Sequence, residues 1–334
     1  MLVVDEDRER ARGVGIEGEH PLGLRVAVAQ ARSAWLDPAA GAVAAAETIA
    51  RAAERGAAVV AFPEAYLGGY PLWMGRTGGA DFDDDGQKDA YAAYLAAAVL
   101  PDGPELAHVA EACAQHGTWA FMGVVERAGP GTAYCSIAVL SPSGGLVGMH
   151  RKLMPTYDER LVWAPGDGAG LRTYEIGGLR VGALLCWENW MPQARYALYA
   201  DGADVHLGLW PGAVSLTGDI TRFIAQEGRV WSIAVGGVIR LEDIPDAFPL
   251  AARLRGGEEL PFDGGSAVAD PQGEWVCAPC AGEERLLLAD CDLRSVRRAR
   301  LTFDPAGHYS RPDVFGCSVD RSRRAPVQWA GATS

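Results

Sequence analysis

A layered α/β fold is the architecture this chain predicts, and three features predict it. Short apolar runs recur along the chain with the length of buried strands. Helix-forming stretches alternate with them, which is the pattern of β-α-β units. Two other pairs of apolar runs are joined by tight-turn residues, which is the pattern of hairpins.

Residues 1 to 22 are polar and aperiodic, and read as a flexible N-terminal arm. "LRVAVAQ" (Leu24 to Gln30) is a buried strand. The Ala-rich run that follows favours a helix, stopped by Gly56. "AVVAFPE" (Ala58 to Glu64) is the next strand and completes the first β-α-β unit. Residues 65 to 86 form a loop rich in Gly, Tyr and Trp. Helices are expected from about Lys88 to Leu100 and from Pro104 to His116, then a strand at Trp119 to Arg127. "YCSIAVLSPSGGLVGMHRK" (Tyr134 to Lys152) is a hairpin turning at Ser-Pro-Ser-Gly-Gly. A loop leads to a second β-α-β-like unit. Its strand ends "LLC" at Cys186, Pro192 opens its helix, and "VHLGLW" (Val205 to Trp210) is its second strand. A helix near Asp219 to Val230, a strand from Ser232, a hairpin over Gly265 to Cys280 and a strand over Arg285 to Leu293 follow. From Phe303 the chain reads as irregular, with a short polar tail at 319 to 334. No composition shift or repeat divides residues 23 to 318, which read as one domain.

The net charge is -13 and the pI about 4.9, so a basic nucleic-acid-binding face is not expected. No run of 18 apolar residues predicts a membrane span. The first residues, "MLVVDEDRERARG", lack the apolar core of a secretory signal. Seven cysteines, an odd number at low density, argue against a disulfide framework and fit a reducing cytoplasm.

Three motifs are decoys. "GVGIEG" (Gly13 to Gly18) has the dinucleotide spacing but no strand before it and no helix after it. "DFDDDG" (Asp81 to Gly86) begins like a calcium loop, but Ala92 stands where the bidentate Glu belongs; it reads as an acidic loop that caps the next helix. "CAPC" (Cys277 to Cys280) lacks a second cysteine pair and lies in a strand. No metal and no cofactor are expected.

Glu64, Lys152 and Cys186 share one placement: each follows a buried strand, where α/β sheets tend to bind ligands. Taken singly, a buried cysteine, a turn glutamate and a surface lysine are ordinary. Together they make complementary chemistry. A thiol needs a base, and no histidine stands in a papain-like context. A glutamate in an apolar pocket can be that base. A buried lysine can hold the thiolate and the negative charge that develops on a substrate.

"FPEAYLGGYP", "HRKLMPTYDERLVW" and "CWENWMP", in this order, resemble the nitrilase superfamily of carbon–nitrogen hydrolases. "GGSAVADPQG" and "FDPAGHYSRPD" extend the likeness over about residues 23 to 318. The resemblance implies a Glu64–Lys152–Cys186 triad, with Glu159 as a further glutamate important for activity. Cys-Trp-Glu after the strand is similar to the nitrilase branch; Trp190 and Leu209 before Trp210 depart from it and touch substrate range, not reaction class. It implies an αββα sandwich, four-layered (αββα-αββα) on dimerisation, and a homodimer or larger homo-oligomer. It also implies that a small organic nitrile and water are the reactants and that the thiol forms a thioimidate and then a thioester. An amidase acting on a carboxamide, a cyanide hydratase or dihydratase, and a non-catalytic scaffold on the same fold are the rival readings. Among the aromatics, Trp187, Tyr134 and Trp210 are candidates for substrate contact, with Trp73, Trp190 and Tyr157 behind them; the Trp187 backbone N–H is a candidate to stabilise developing charge. Glu188, though it adjoins the nucleophile's neighbour, is not expected to be the base.

Overall fold

The computed structural model describes residues 22–256, 262–325 and 327. The expected arm, apart from Leu22, and the glycine stretch at 13 to 18 lie outside them. The chain starts with β1 (Gly23–Gln30), α1 (Pro38–Glu54) and β2 (Val59–Ala61), then three helices, α2 (Trp73–Arg76), α3 (Asp85–Ala96) and α4 (Pro104–His116). Strands β3 (Trp119–Arg127), β4 (Ala133–Ser141) and β5 (Gly145–Arg151) follow. The second half holds β6 (Tyr174–Ile176), β7 (Leu179–Leu185), α5 (Pro192–Ala200), β8 (Val205–Trp210), α6 (Val214–Gly228) and β9 (Trp231–Gly236). It closes with α7 (Ala251–Arg255), β10 (Gly264–Ala269), β11 (Trp275–Ala281), β12 (Arg285–Asp292) and α8 (Leu293–Arg300).

The strands form two six-stranded mixed sheets, ordered β12-β1-β2-β3-β4-β5 and β11-β10-β9-β8-β7-β6. Both have parallel centres: β1, β2 and β3 in one, β7, β8 and β9 in the other. Strand alternation decides the layers. Val26, Val28, Val59, Ala61 and Phe121 face inward and meet Val181, Leu207, Leu209, Ile233 and Val235 of the second sheet in one core. The intervening Ala27, Ala29, Val60 and Met122 face outward onto Ala45, Ile49, Leu106 and Val109 of α1 and α4. On the far side Leu184 packs under Ala194 and Leu198 of α5, and Ala234 under Ile220 and Ile224 of α6. The protein is an αββα sandwich. Central strands buried on both faces explain why they read as continuous apolar runs.

The differences from the sequence reading have local causes. The helix expected at 88 to 100 runs from Asp85 to Ala96, with the Asp84 carboxylate as its cap. Its expected last turn is extended instead, because Val99 exchanges backbone hydrogen bonds with Val125 and Arg127. Helix α6 starts at Val214 rather than near Asp219. Its first turns carry β-branched residues and a glycine, poor helix formers, but Thr217 and Ile220 are buried and the Thr217 hydroxyl donates to Gly265 O at 2.6 Å. Helices α2, α7 and α8 and the three-residue β6 were not anticipated; all but α8 are five residues or shorter. Among the described residues, no helix is long and apolar enough to cross a membrane.

Candidate active site

The three polar residues singled out by the sequence meet at the strands' carboxyl ends. Glu64 lies three residues past β2, on a sharp turn in which Ala65 has φ of +51°. The Glu64 N–H donates to Trp210 O at 3.3 Å, so the end of β2 is tied to the end of β8 across the sandwich. Gly123 lets this turn approach β3: a Cβ there would stand 2.0 Å from Pro63 O and 2.6 Å from Glu64 Cα. Lys152 directly follows β5. Cys186 directly follows β7 and has φ of +45°. A non-glycine residue in this region costs about 1–2 kcal/mol, and such strain often marks an exposed or activated nucleophile at a strand-to-helix turn.

Neighbours hold that turn. Asn189 Nδ2 donates to Cys186 O at 2.8 Å, and His206 Nε2 bonds Asn189 Oδ1 at 2.7 Å. Burial pushes His206 down to about 3, so its ring is neutral and donates from Nε2. Arg195 of α5, itself paired with Glu227 of α6, donates to Asn189 O at 2.7 Å.

Lys152 is fully buried and bridges two buried carboxylates. Its Nζ donates to Glu64 Oε1 at 2.9 Å and to Glu159 Oε2 at 2.7 Å. Glu159 comes from a short 3-10 turn at Tyr157–Leu161, where it also accepts from the Thr156 N–H and from the Tyr70 hydroxyl at 2.9 Å. A carboxylate oxygen of Glu64, one of Glu159 and the Cys186 sulfur lie within 4.8 Å of one another. Among the described residues Glu64 Oε2 has no hydrogen-bond partner, which leaves one oxygen of that buried acid open to take a proton.

The electrostatics follow from burial. Burial pushes the Glu64 carboxyl up to about 7, with Lys152 opposing and Glu159 adding to the rise. Burial alone would lower Lys152, but Glu64, Cys186 and Glu159 around it raise it well above the usual lysine value. Burial and the Glu64 charge push the Cys186 thiol well up, against the opposing effect of Lys152 and the Trp187 backbone N–H. The resting site thus pairs a protonated thiol with a carboxylate poised to accept a proton near neutrality. Glu64, Glu159 and Cys186 offer atoms close enough to ligate a cation. The Lys152 ammonium already supplies the positive charge between the two carboxylates.

Sequence reasoning missed part of the setting. Tyr70 packs between Trp163 and Phe262, with ring centroids 5.8 and 5.2 Å away, and the Trp163 ring lies 5.5 Å from Lys152 Nζ. Tyr70 and Trp163 stand inside the very motifs that flagged the site, but nothing local marks which aromatic turns inward. The aromatic candidates fare unevenly. Trp210 is buried in the apolar cluster that contains Cys186. Trp187 is 47% exposed and its ring stacks on Trp190 at 6.3 Å, so these rings stand at the surface. The Tyr134 ring lies under the Arg151 guanidinium, 4.1 Å from the centroid. Alternation along β4 turns Cys135, not Tyr134, towards Lys152 and Glu64. Trp73 is core, against Trp35, Tyr94 and Phe248, and Tyr157 is exposed.

Comparison with known proteins gives the family. The family model for carbon–nitrogen hydrolases matches residues 25–301. The chain belongs to the carbon–nitrogen hydrolase family, on its nitrilase branch. A nitrilase of Bradyrhizobium diazoefficiens is 37% identical over 93% of this chain and 96% of its own length. An aliphatic nitrilase of Sinorhizobium fredii is 36% identical over 84% of this chain and 90% of its own. Among solved structures, an amidase from Nesterenkonia shares the fold, with a TM-score of 0.61 at 22% identity over 87% of this chain and 98% of that one. As a carbon–nitrogen hydrolase, the protein is an enzyme, and its fold brings an acid, a lysine and a thiol to one point.

Proposed function

We propose that the protein is a nitrilase that converts an organic nitrile to the carboxylic acid and ammonia. The observation that carries this is the buried cluster of Cys186, Glu64, Lys152 and Glu159, with Glu64 raised to about 7. Relatives named as nitrilases, at 33–37% identity over most of the chain, support the nitrile as the substrate class.

Glu64 takes the Cys186 proton as the sulfur adds to the nitrile carbon. Glu64 passes that proton on to the nitrile nitrogen and the product is a neutral thioimidate. Lys152 and the Trp187 N–H stabilise the charge that develops on nitrogen. A first water adds to the thioimidate carbon; the tetrahedral adduct expels ammonia and leaves a thioester. A second water, activated by Glu64 with Glu159 held against Lys152, attacks the thioester. The acid leaves and the thiol is restored, so one nitrile and two waters give one acid and one ammonia. Splitting the reaction at a covalent intermediate replaces one difficult addition by easier steps.

An amidase would use the same cluster on a carboxamide, entering at the tetrahedral adduct. A panel of aliphatic, aromatic and arylaceto-nitriles beside their carboxamides, read by ammonia and acid, separates the two. Turnover of nitriles with acid as the main product is expected. Turnover of amides alone would replace this reading by the amidase one. Although the resting thiol is protonated, Glu64 can take its proton as the sulfur attacks, so labelling of Cys186 by iodoacetamide faster than the other six cysteines is also expected; equal labelling would count against an activated nucleophile.

A further inference from the structure

Two buried residues take no part in the chemistry above, Glu188 and His150, and they are bonded to each other. Glu188 Oε2 accepts from the Leu185 N–H at 2.9 Å and from His150 Nε2 at 3.0 Å. Its Oε1 accepts from the Leu153 N–H and from His150 Nε2 at 3.2 Å. Leu185 immediately precedes the nucleophile. Leu153 immediately follows Lys152, and His150 stands two residues before it. One carboxylate therefore bonds the chain beside Cys186 and the chain on both sides of Lys152.

This arrangement matters because the two residues belong to different sheets. Lys152 follows β5, the edge strand of the first sheet; Cys186 follows β7, in the second. No shared ladder sets the distance between them. Packing between sheets does so only loosely, whereas a hydrogen-bonded bridge does so directionally. Burial opposes ionisation of Glu188, but His150 and the two backbone N–H groups outweigh it and hold the acid below its usual range. An ionised carboxylate is also the side chain that offers acceptors to all these donors at once.

We propose that Glu188, oriented by His150, is a positioning residue that sets Cys186 against Lys152 across the two sheets. The proposal rests on the nucleophile-and-charge reading of Cys186 and Lys152. It assigns Glu188 no contact with substrate.

The test uses the full chain with three substitutions: Glu188→Gln, His150→Leu and His150→Gln. A glutamine at 188 keeps the volume but turns an amide N–H₂ towards a donor. A leucine at 150 removes the donor to Glu188, while a glutamine there places an amide nitrogen near the position of Nε2. Three quantities are read: the rate of Cys186 alkylation by iodoacetamide, kcat and KM on the best nitrile, and Tm. Glu188→Gln and His150→Leu are expected to lower kcat and the alkylation rate about 10- to 100-fold, up to the loss that a shift of about 1 Å at a reacting group can cause, with KM little changed. His150→Gln is expected to recover most of that loss. If Glu188→Gln or His150→Leu lowers Tm yet alkylates and turns over at the wild-type rate, the bridge is purely structural and the proposal fails. It fails equally if His150→Gln recovers nothing. If Glu188→Gln does not fold, the two His150 variants decide. Alkylation needs no nitrile, so a wild-type chain that labels rapidly but hydrolyses no nitrile sinks the functional reading while leaving the bridge decidable.

Discussion

At the residue scale, the site is defined by how burial treats three kinds of group. The same desolvation raises an acid, raises a thiol and would lower an ammonium, and only the mutual arrangement decides the outcome. Lys152 stays charged because two carboxylates touch it. Glu64 rises to about 7 because its burial is only partly offset by that lysine. A base must be deprotonated to act, so kcat/KM is expected to rise with pH through about 7 and fall on the acid side. The acid limb belongs to the coupled Glu64–Glu159–Lys152 cluster rather than to one group. A limb at the unperturbed glutamate value would reject Glu64 as the base. Cys186→Ala is expected to abolish turnover with an unchanged circular-dichroism spectrum; residual activity at the wild-type level would end the covalent mechanism. Lys152→Ala should cost more than rate. It leaves two buried carboxylates facing each other without a cation, a loss of about 3–5 kcal/mol for a broken buried pair, so a lower Tm should accompany a kcat drop of orders of magnitude.

At the scale of elements, the site depends on turns that bring backbones unusually close. Gly123 in β3 packs directly against the Glu64 turn. Gly123→Ala would place a methyl against three backbone atoms, of Pro63, Glu64 and Ala65, that have no free side-chain end to move. We expect this substitution to lower both Tm and kcat, since a shift of about 1 Å at a catalytic group can cost roughly 10²-fold. Wild-type kinetics in a Gly123→Ala protein would show that the turn is not constrained from β3. The elements also show how far sequence reading reaches. Long strands with continuous apolar runs, the two hairpins and α4 stand where their residues put them, because turn chemistry and periodicity are local. The start of α6 and the short α2 and α7 are not legible, because tertiary burial rather than propensity holds them. Which of Tyr134 and Cys135 faces the cluster is not legible either, for a related reason. Cys135 carries no outward sign of facing the cluster, and only the register of β4 against β3 and β5 settles which of the two does.

At the scale of the molecule, two sheets carry the halves of one site. Glu64 and Lys152 come from the first sheet and Cys186 from the second, and Glu64 N–H to Trp210 O and the Glu188 bridge are direct polar links between the two sheets at the site. The described part of the tail is also docked: Arg321 and Arg323 bond Asp201 and Asp167 at 2.8 and 3.1 Å. We expect the protein to assemble at least as a homodimer. Native mass measurement should return two or more copies of the 35.4 kDa chain, and a monomer at micromolar concentration would refute that expectation.

The sequence by itself determined the fold class, the strand-end placement of Glu64, Lys152 and Cys186, and the family those motifs resemble. Each is a local property, written in periodicity, turn residues and short motifs. Only the tertiary structure decided that Lys152 joins Glu64 to Glu159, that Tyr70 and Trp163 wall this pair, and that Glu188 spans the two sheets. It also decided the protonation states. The reason is physical: a buried group's charge depends on every neighbour that displaces water or supplies a partner. Here those neighbours come from segments 88 residues apart for Lys152 and Glu64, and 38 for Glu188 and His150.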